Sequence, residues 1–177
     1  MRYRLPELED KEIIKLYIEE HYSHNEKSLS ASNKLTSMDF GNWVNKIHCN
    51  VNIPDKDWGK SLTYLAFNED NELIGLLSIR YDLPEEKAME FGHIGYGVRP
   101  SQRRKGYATK MLEFALKECK KCGLKKVIVG CYKENKGSAR TIIKNNGKLI
   151  KEKNISININ DCWKINLIDQ FYEIEIS

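Results

Sequence analysis

The order of apolar and polar positions divides the chain into stretches of different period. Between Leu8 and His21, Ile13, Ile14, Leu16, Tyr17 and Ile18 fall among acids and lysines at helical spacing, predicting an amphipathic helix. "HYSHNEKSLSASNKLTSM" is polar and serine-rich and reads as a flexible loop. Asp39 reads as the N-cap of a short helix through Phe40, Trp43, Val44 and Ile47, and "NIPDKDWGKS" as a turn-rich connection. From Ser61 the period changes. "LTYLAFN" and "LIGLLSIRYD", joined by "EDNE", predict an antiparallel hairpin. "PEEKAME" reads as a second connection and "FGHIGYGVR" as a third strand ended by Pro100. Ala108, Met111, Leu112, Ala115, Leu116 and Cys119 mark the clearest helix, and Gly123 supplies its stop. "KKVIVGCY" is a β-branched strand, and "GSARTIIKNNG" a short helix closed by Gly147. The tail alternates at period two in "KLIKEKNISININ" and "CWKINLIDQFYEIEIS", predicting further strands. Two helices, three strands, helix, strand, helix and strands make an α/β (α+β) order around a mostly antiparallel sheet.

Composition narrows the function classes. A chain of 177 residues with 41% hydrophobic and 31% charged residues suits one globular domain, residues 1–177. No apolar run is long enough to span a bilayer, and the charged first residues do not resemble a signal peptide. A cytoplasmic protein without a membrane partner is expected. A net charge of +4 does not by itself imply nucleic-acid binding. The positive residues alternate with acids and no stacking-aromatic motif accompanies them, which argues against a nucleic-acid partner. Of the cysteines Cys49, Cys119, Cys122, Cys131 and Cys162, the C-x-x-C pair lies inside a helical pattern, and no second Cys or His pair stands at a zinc-like spacing. Reduced thiols and no metal are expected.

Chemistry concentrates in "HIGYGVRPSQRRKGYATKML", where a strand turns into a helix. A helix N-terminus carries unpaired N–H groups and the positive end of the helix dipole. Gly106 lets a ligand approach the backbone, and Arg103, Arg104 and Lys105 add charge, so the turn suits a pyrophosphate. Neither the G-x-x-x-x-G-K-S/T loop nor the G-x-G-x-x-G fingerprint is present. The pattern is Arg103-x-x-Gly106-x-Ala108.

This pattern resembles the coenzyme-A loop of the GNAT (general N-acetyltransferase) acyltransferases, Q/R-x-x-G-x-G/A between a strand and a helix. "VIVGCYKENKGSARTIIKNNG", with Asn135 and Ser138, is similar to the family's following strand and helix, and "ELIGLLSIR" to an earlier strand. The resemblance covers residues 61–147 well and implies a GNAT-like twisted sheet flanked by helices, with a splayed pair of central strands. It implies an N-acetyltransferase moving an acetyl group from acetyl-CoA directly to an amine. Residues 1–60 would form a helical acceptor-side segment, 61–147 the acetyl-CoA-binding core, and 148–177 the C-terminal strands. Arg103, Arg104, Lys105, Gly106, Tyr107 and Ala108 would offer N–H groups to the pyrophosphate. Tyr96, Gly97 and Val98 would lie beside the pantetheine arm, and Asn135 would orient it. Arg99, Lys110, Lys136 and Arg140 are either ribose-phosphate contacts or solvated surface.

Catalysis is less defined by the resemblance. Direct transfer needs a neutral amine and therefore a base. The family's strand carboxylate falls here at Gly92, flanked by Glu90 and His93, which become the candidates. The family's tyrosine acid, seven residues after the asparagine, is Ile142 here; Tyr96, Tyr107 and Tyr132 are nearby as acids or as packing residues. Cys131 has no neighbour in sequence to activate its thiol. A catalytically silent acyl-CoA-binding module is the alternative. Trp43, Trp58, Tyr64 and Tyr81 could line an acceptor cleft or fill the core, and Glu19 and Glu20 could draw a cationic amine or face solvent. A small amine, an antibiotic and a protein N-terminus or lysine all stay open as acceptors, and a homodimer is compatible with all of them.

Overall fold

Apolar residues on both faces of one strand set the layering of this protein, seen in a computed structural model that describes residues 1–160 and 163–176, with side chains outside 157–164. Cys162 lies outside the described residues. Strands β1 (Arg2–Arg4), β2 (Ser61–Phe67), β3 (Leu73–Arg80) and β4 (Ile94–Val98) form an antiparallel sheet in that order. Positions 73–79 of β3 are all buried, because helices cover both faces of this sheet. A second sheet has the order β5-β7-β6 for β5 (Lys126–Tyr132), β6 (Lys148–Asn160) and β7 (Trp163–Glu175), again antiparallel.

Helices α1 (Lys11–Ser23) and α2 (Phe40–Asn50) bury Ile14, Tyr17, Trp43, Val44 and Ile47 against Leu65, Phe67, Leu73 and Leu76. Asp39 caps α2 as its position predicts, its Oδ1 accepting from the Asn42 N–H at 3.1 Å. "PEEKAME" is not a connection: it forms the larger part of helix α3 (Glu85–Phe91). Pro84 just ahead of the first turn and two acids within it are helix-start signals in a segment too short to show periodicity. The third strand consequently begins after Phe91. Helices α4 (Tyr107–Lys121) and α5 (Lys136–Lys144) lie over the other face. Met111, Leu112, Ala115, Cys119 and Ile142 there join Ala66, Ile74, Leu77 and Ile79 with Val127, Val129 and Ile174 in one core that bridges both sheets. Strand β1 has three residues, too few for an alternation to be read.

The serine-rich loop between α1 and α2 is tied down. Asn33 donates to Ser78 Oγ at 3.1 Å, Trp43 Nε1 donates to the Ser32 carbonyl at 2.8 Å, and Leu29 and Leu35 are buried. Its Ser30 and Ala31 lie against Gly97 and Gly95 of β4. These partners come from distant parts of the chain, so no local pattern announces them.

Candidate active site

Among the described residues, the hydrogen bonds that join the two sheets run through His93. The His93 N–H donates to the Ile128 carbonyl at 2.7 Å, and the Ile128 N–H donates to His93 Nδ1 at 2.9 Å. An imidazole thus takes the place that a backbone carbonyl would fill in a continuing ladder, and among the described residues β4 and β5 form no ladder. Beyond this junction Ile94, Gly95 and Tyr96 on one side and Gly130, Cys131 and Tyr132 on the other line a cleft of about 300 Å³. His93 is buried, and burial lowers its pKa, in keeping with a neutral ring whose Nδ1 accepts and whose proton sits on Nε2.

Gly92 is required at the junction. Its φ is +72°, and a Cβ there would stand 3.1 Å from the Ile128 carbonyl oxygen and 3.2 Å from the Gly130 nitrogen. No carboxylate side chain fits at this offset. Arg80 braces the turn, donating to the carbonyls of Phe91 (3.2 Å) and Gly92 (2.9 Å) with its guanidinium 4.7 Å from the Trp58 ring centroid. Glu90 sits in the last turn of α3, not on a strand, and lines the cleft while staying exposed.

At the far end of β4 the chain forms an anion cradle. Arg104 (φ 64°) and Gly106 (φ 79°) adopt left-handed backbone, and α4 starts at Tyr107. Among the described residues the N–H groups of Arg104 to Thr109 have no acceptor within the protein. Nothing lies within 4 Å of a Cβ built on Gly106, so the backbone there is open to a ligand. Six such N–H groups at the start of a 15-residue helix fit a pyrophosphate. Tyr107 and Ala108 also pack against the core, so the cradle is fixed from behind.

The arginines divide between bracing and exposure. Arg103 points back to the loop after α1: its guanidinium meets Glu26 at 2.5 and 2.6 Å, and its Nε donates to the Val98 carbonyl at 2.9 Å. Glu26 also meets His21 Nδ1 at 2.8 Å. The Arg103 guanidinium holds the Glu26 carboxyl down to about 2. Arg99 Nε donates to Glu20 at 2.6 Å, and Glu20 also accepts from the Ser101 N–H at 2.7 Å. Glu20 therefore braces the loop and does not draw an acceptor. Arg104 and Lys105 are exposed, as are Lys110, Lys136 and Arg140.

The wall formed by α5 carries hydroxyls. Tyr96 Oη and Ser138 Oγ are 2.8 Å apart, and Asn135 Oδ1 caps α5 by accepting from the Ser138 N–H at 3.0 Å. Burial raises the Tyr96 hydroxyl pKa. Gly97 and Val98 stay paired with Leu76 and Gly75 of β3, which leaves their other edge toward the diverged strand. Ile142 is fully buried and offers the cleft no proton. Burial also raises the Cys131 thiol, so it is a poor nucleophile.

The aromatic acceptor-lining candidates do not reach the cleft. Trp43 is core, Tyr64 stacks edge-on with Phe114, Tyr81 bonds the Val51 carbonyl, and Trp58 only backs Phe91. Ser30, Asp169 and Phe171 line the cleft instead, and sequence reasoning missed all three. Asp169 breaks the apolar face of the last strand, a weak signal without knowledge of its neighbours.

The sequence profile described as the acetyltransferase (GNAT) family matches residues 33–146. No curated protein matches the sequence. Among solved structures, an N-acetyltransferase from Staphylococcus aureus Mu50 is similar at 20% identity and TM-score 0.66, covering 99% of this chain and 98% of that one. The Salmonella typhimurium acetyltransferase that modifies the N-terminal serine of ribosomal protein L7/L12 is similar at 16% identity and TM-score 0.69, over 99% of this chain and 94% of that one. The microcin C7 self-immunity acetyltransferase MccE, in complex with acetyl-CoA and AMP, is similar at 18% identity and TM-score 0.70, over 98% and 91%. No described helix is long and apolar enough to cross a membrane.

Proposed function

The chain belongs to the acetyltransferase (GNAT) family and is an acetyl-CoA-dependent acetyltransferase, and from that premise we propose how its residues divide the work of acetylating an amine. The observation that carries the proposal is the β4–β5 cleft leading to a cradle of free N–H groups at the start of α4. Residues 61–147 hold acetyl-CoA, while 1–60 and 148–177 frame the acceptor side, in keeping with Ser30 and Asp169 in the cleft wall. Acetyl-CoA supplies the acyl thioester. The N–H groups of Arg104 to Thr109 receive its pyrophosphate, with the Arg104 and Lys105 side chains adding positive charge outside; the Arg103 N–H, expected among these donors, is already given to the Pro100 carbonyl at 3.2 Å. Arg103 acts on this loop from behind, through Glu26.

The open edge of β4 at Tyr96, Gly97 and Val98 pairs with the amide-bearing arm, which satisfies groups that an exposed strand edge leaves unpaired. Asn135 holds α5 in place beside that arm. His93 sets the angle at which the strands part, since its Nδ1 is already engaged by Ile128. The hydroxyl pair of Tyr96 and Ser138 stands where Ile142 offers nothing, and can protonate a departing thiolate. Glu90 at the edge of the cleft attracts a cationic acceptor. A cytoplasmic setting belongs to the same proposal, supported by the free thiols of Cys49, Cys119, Cys122 and Cys131.

Thermal denaturation with increasing acetyl-CoA tests the site. Wild type should show a saturable rise in Tm, about 2.7 kcal/mol of stabilisation at a hundredfold excess over Kd. Gly106→Trp should lose that rise, because its φ of +79° disfavours a side chain and an indole would fill the cradle. A rise of equal size in the variant would sink the proposal.

A further inference from the structure

Asp169 stands in the cleft without a side-chain partner. In β7 it lies opposite Tyr132 of β5, two residues from the buried Phe171. Gly130 leaves space beside it: a Cβ there would be 3.9 Å from Asp169 Oδ1 and 3.4 Å from the Phe171 ring. Among the described residues the carboxylate has no side-chain hydrogen bond or salt bridge, although it is half-buried. The charged and titratable groups around it are Lys153 across β6, Tyr132 and Cys131 on β5, and Glu90 of α3 in the same cleft. Of the side chains lining the cleft, the charged ones are Glu90 and Asp169, both carboxylates. A half-buried carboxylate that takes a hydrogen bond from the Gln170 N–H and none from a side chain keeps acceptor capacity for a ligand.

Resting on the acetyl-transfer reading above, we propose that Asp169 receives the acceptor, which enters as the ammonium group of a primary amine, and takes a proton from it. The Asp169 carboxylate removes one proton from the ammonium ion. The free amine attacks the thioester carbon, the C–N bond forms and the C–S bond breaks. The second proton lost by nitrogen goes to the leaving thiolate, and Asp169 returns its proton to water. Burial favours the protonated carboxyl at Asp169, only partly opposed by Lys153 and by the Gln170 N–H, and so brings its proton affinity closer to that of an amine. Glu90, exposed at the edge, draws the same cation inward. Phe171 and Tyr132 supply the apolar wall against which the carbon next to nitrogen rests.

Thiol release from acetyl-CoA, measured for wild type, Asp169→Asn and Asp169→Glu, tests the role. The amines are phenethylamine, spermidine and tripeptides with free serine or methionine N-termini, which separates small-molecule from peptide sources of the ammonium group. Wild type should acetylate at least one of them. Asp169→Asn should lower kcat/KM by about a hundredfold or more and remove the acidic limb of its pH profile, while Asp169→Glu should keep that limb. The Tm rise with acetyl-CoA should be unchanged in Asp169→Asn, and its Tm without ligand no lower than wild type. The sign follows from the raised pKa: the folded state holds this proton more tightly, so ionisation opposes folding as pH rises, and removing the acid relieves that. If Asp169→Asn retains kcat/KM within about threefold and the acidic limb, the role is overturned while acetyl transfer stands. If it loses stability and coenzyme response together, Asp169 is structural and the proposal also fails. Acetyl-CoA stabilisation without turnover of any amine overturns the transfer reading itself, and this inference with it.

Discussion

The coenzyme cradle and the acceptor cleft adjoin along β4 but are built in opposite ways. The cradle uses the backbone of one continuous stretch, Arg104 to Thr109, and its recognition depends on φ angles and a helix start. The cleft gathers Ser30, Glu90, Tyr96, Tyr132 and Asp169 from segments far apart in sequence, and its recognition depends on side chains. His93 lies between the two designs, a side chain serving in place of backbone. A site of the first kind tolerates change in its side chains. A site of the second kind changes its ligand when one residue changes.

The largest effect on this comparison should come from His93→Leu. It removes the acceptor for the buried Ile128 N–H, and an unmet buried donor costs about 1–3 kcal/mol. Chemical denaturation should show that loss, with part of it restored in His93→Asn, whose carbonyl oxygen can accept. The wild type should also become less stable as pH falls. The folded-state pKa of His93 is below its ordinary 6.5, so its contribution is complete above that value and is lost as pH drops through 6.5 and below. His93→Leu should flatten this part of the stability curve; an unchanged curve would mean that the imidazole is not the pin.

Next in size is the brace behind the cradle. Arg103→Ala should cost no more than about 1 kcal/mol, because the pair with Glu26 is partly exposed. With the Glu26 carboxyl held down to about 2, the pair stabilises the fold above the ordinary carboxylate range and is lost as pH falls from about 4.5 toward 2. Acid titrations of wild type and Arg103→Ala should diverge least at the acid end. The variant should bind acetyl-CoA within about tenfold of wild type, since the N–H groups do the binding; a complete loss would move Arg103 into the contact set. The smallest effect is expected for Glu90→Gln, an exposed carboxylate. Its kcat/KM for a cationic amine should fall less than about threefold, and the difference should shrink with added salt.

The same contrast explains what could be read along the chain. The cradle was legible because a strand, Pro100, an Arg-Arg-Lys run, Gly106 and the α4 periodicity follow one another within a single window. The hairpin of β2 and β3 and the α4 stripe were legible for the same local reason. Helix α3 was missed because its seven residues carry start signals but no period, and β1 because three residues carry none. The loop after α1 read as free because its Glu26, Ser32 and Asn33 find partners that no window contains. Glu90 was expected at the end of a connection, just ahead of the third strand, and α3 makes it a helix end beside the cleft.

By itself, then, the sequence determined the class of fold, the order of most elements and the anion-binding turn, all consequences of short-range sterics, periodicity and unpaired N–H groups. Tertiary structure alone decided that β4 and β5 part at His93, that Arg103 faces Glu26 and that Asp169 of β7 reaches the cleft. Those outcomes depend on strand order and register, where one pairing brings residues dozens of positions apart into contact and no neighbouring residue records it.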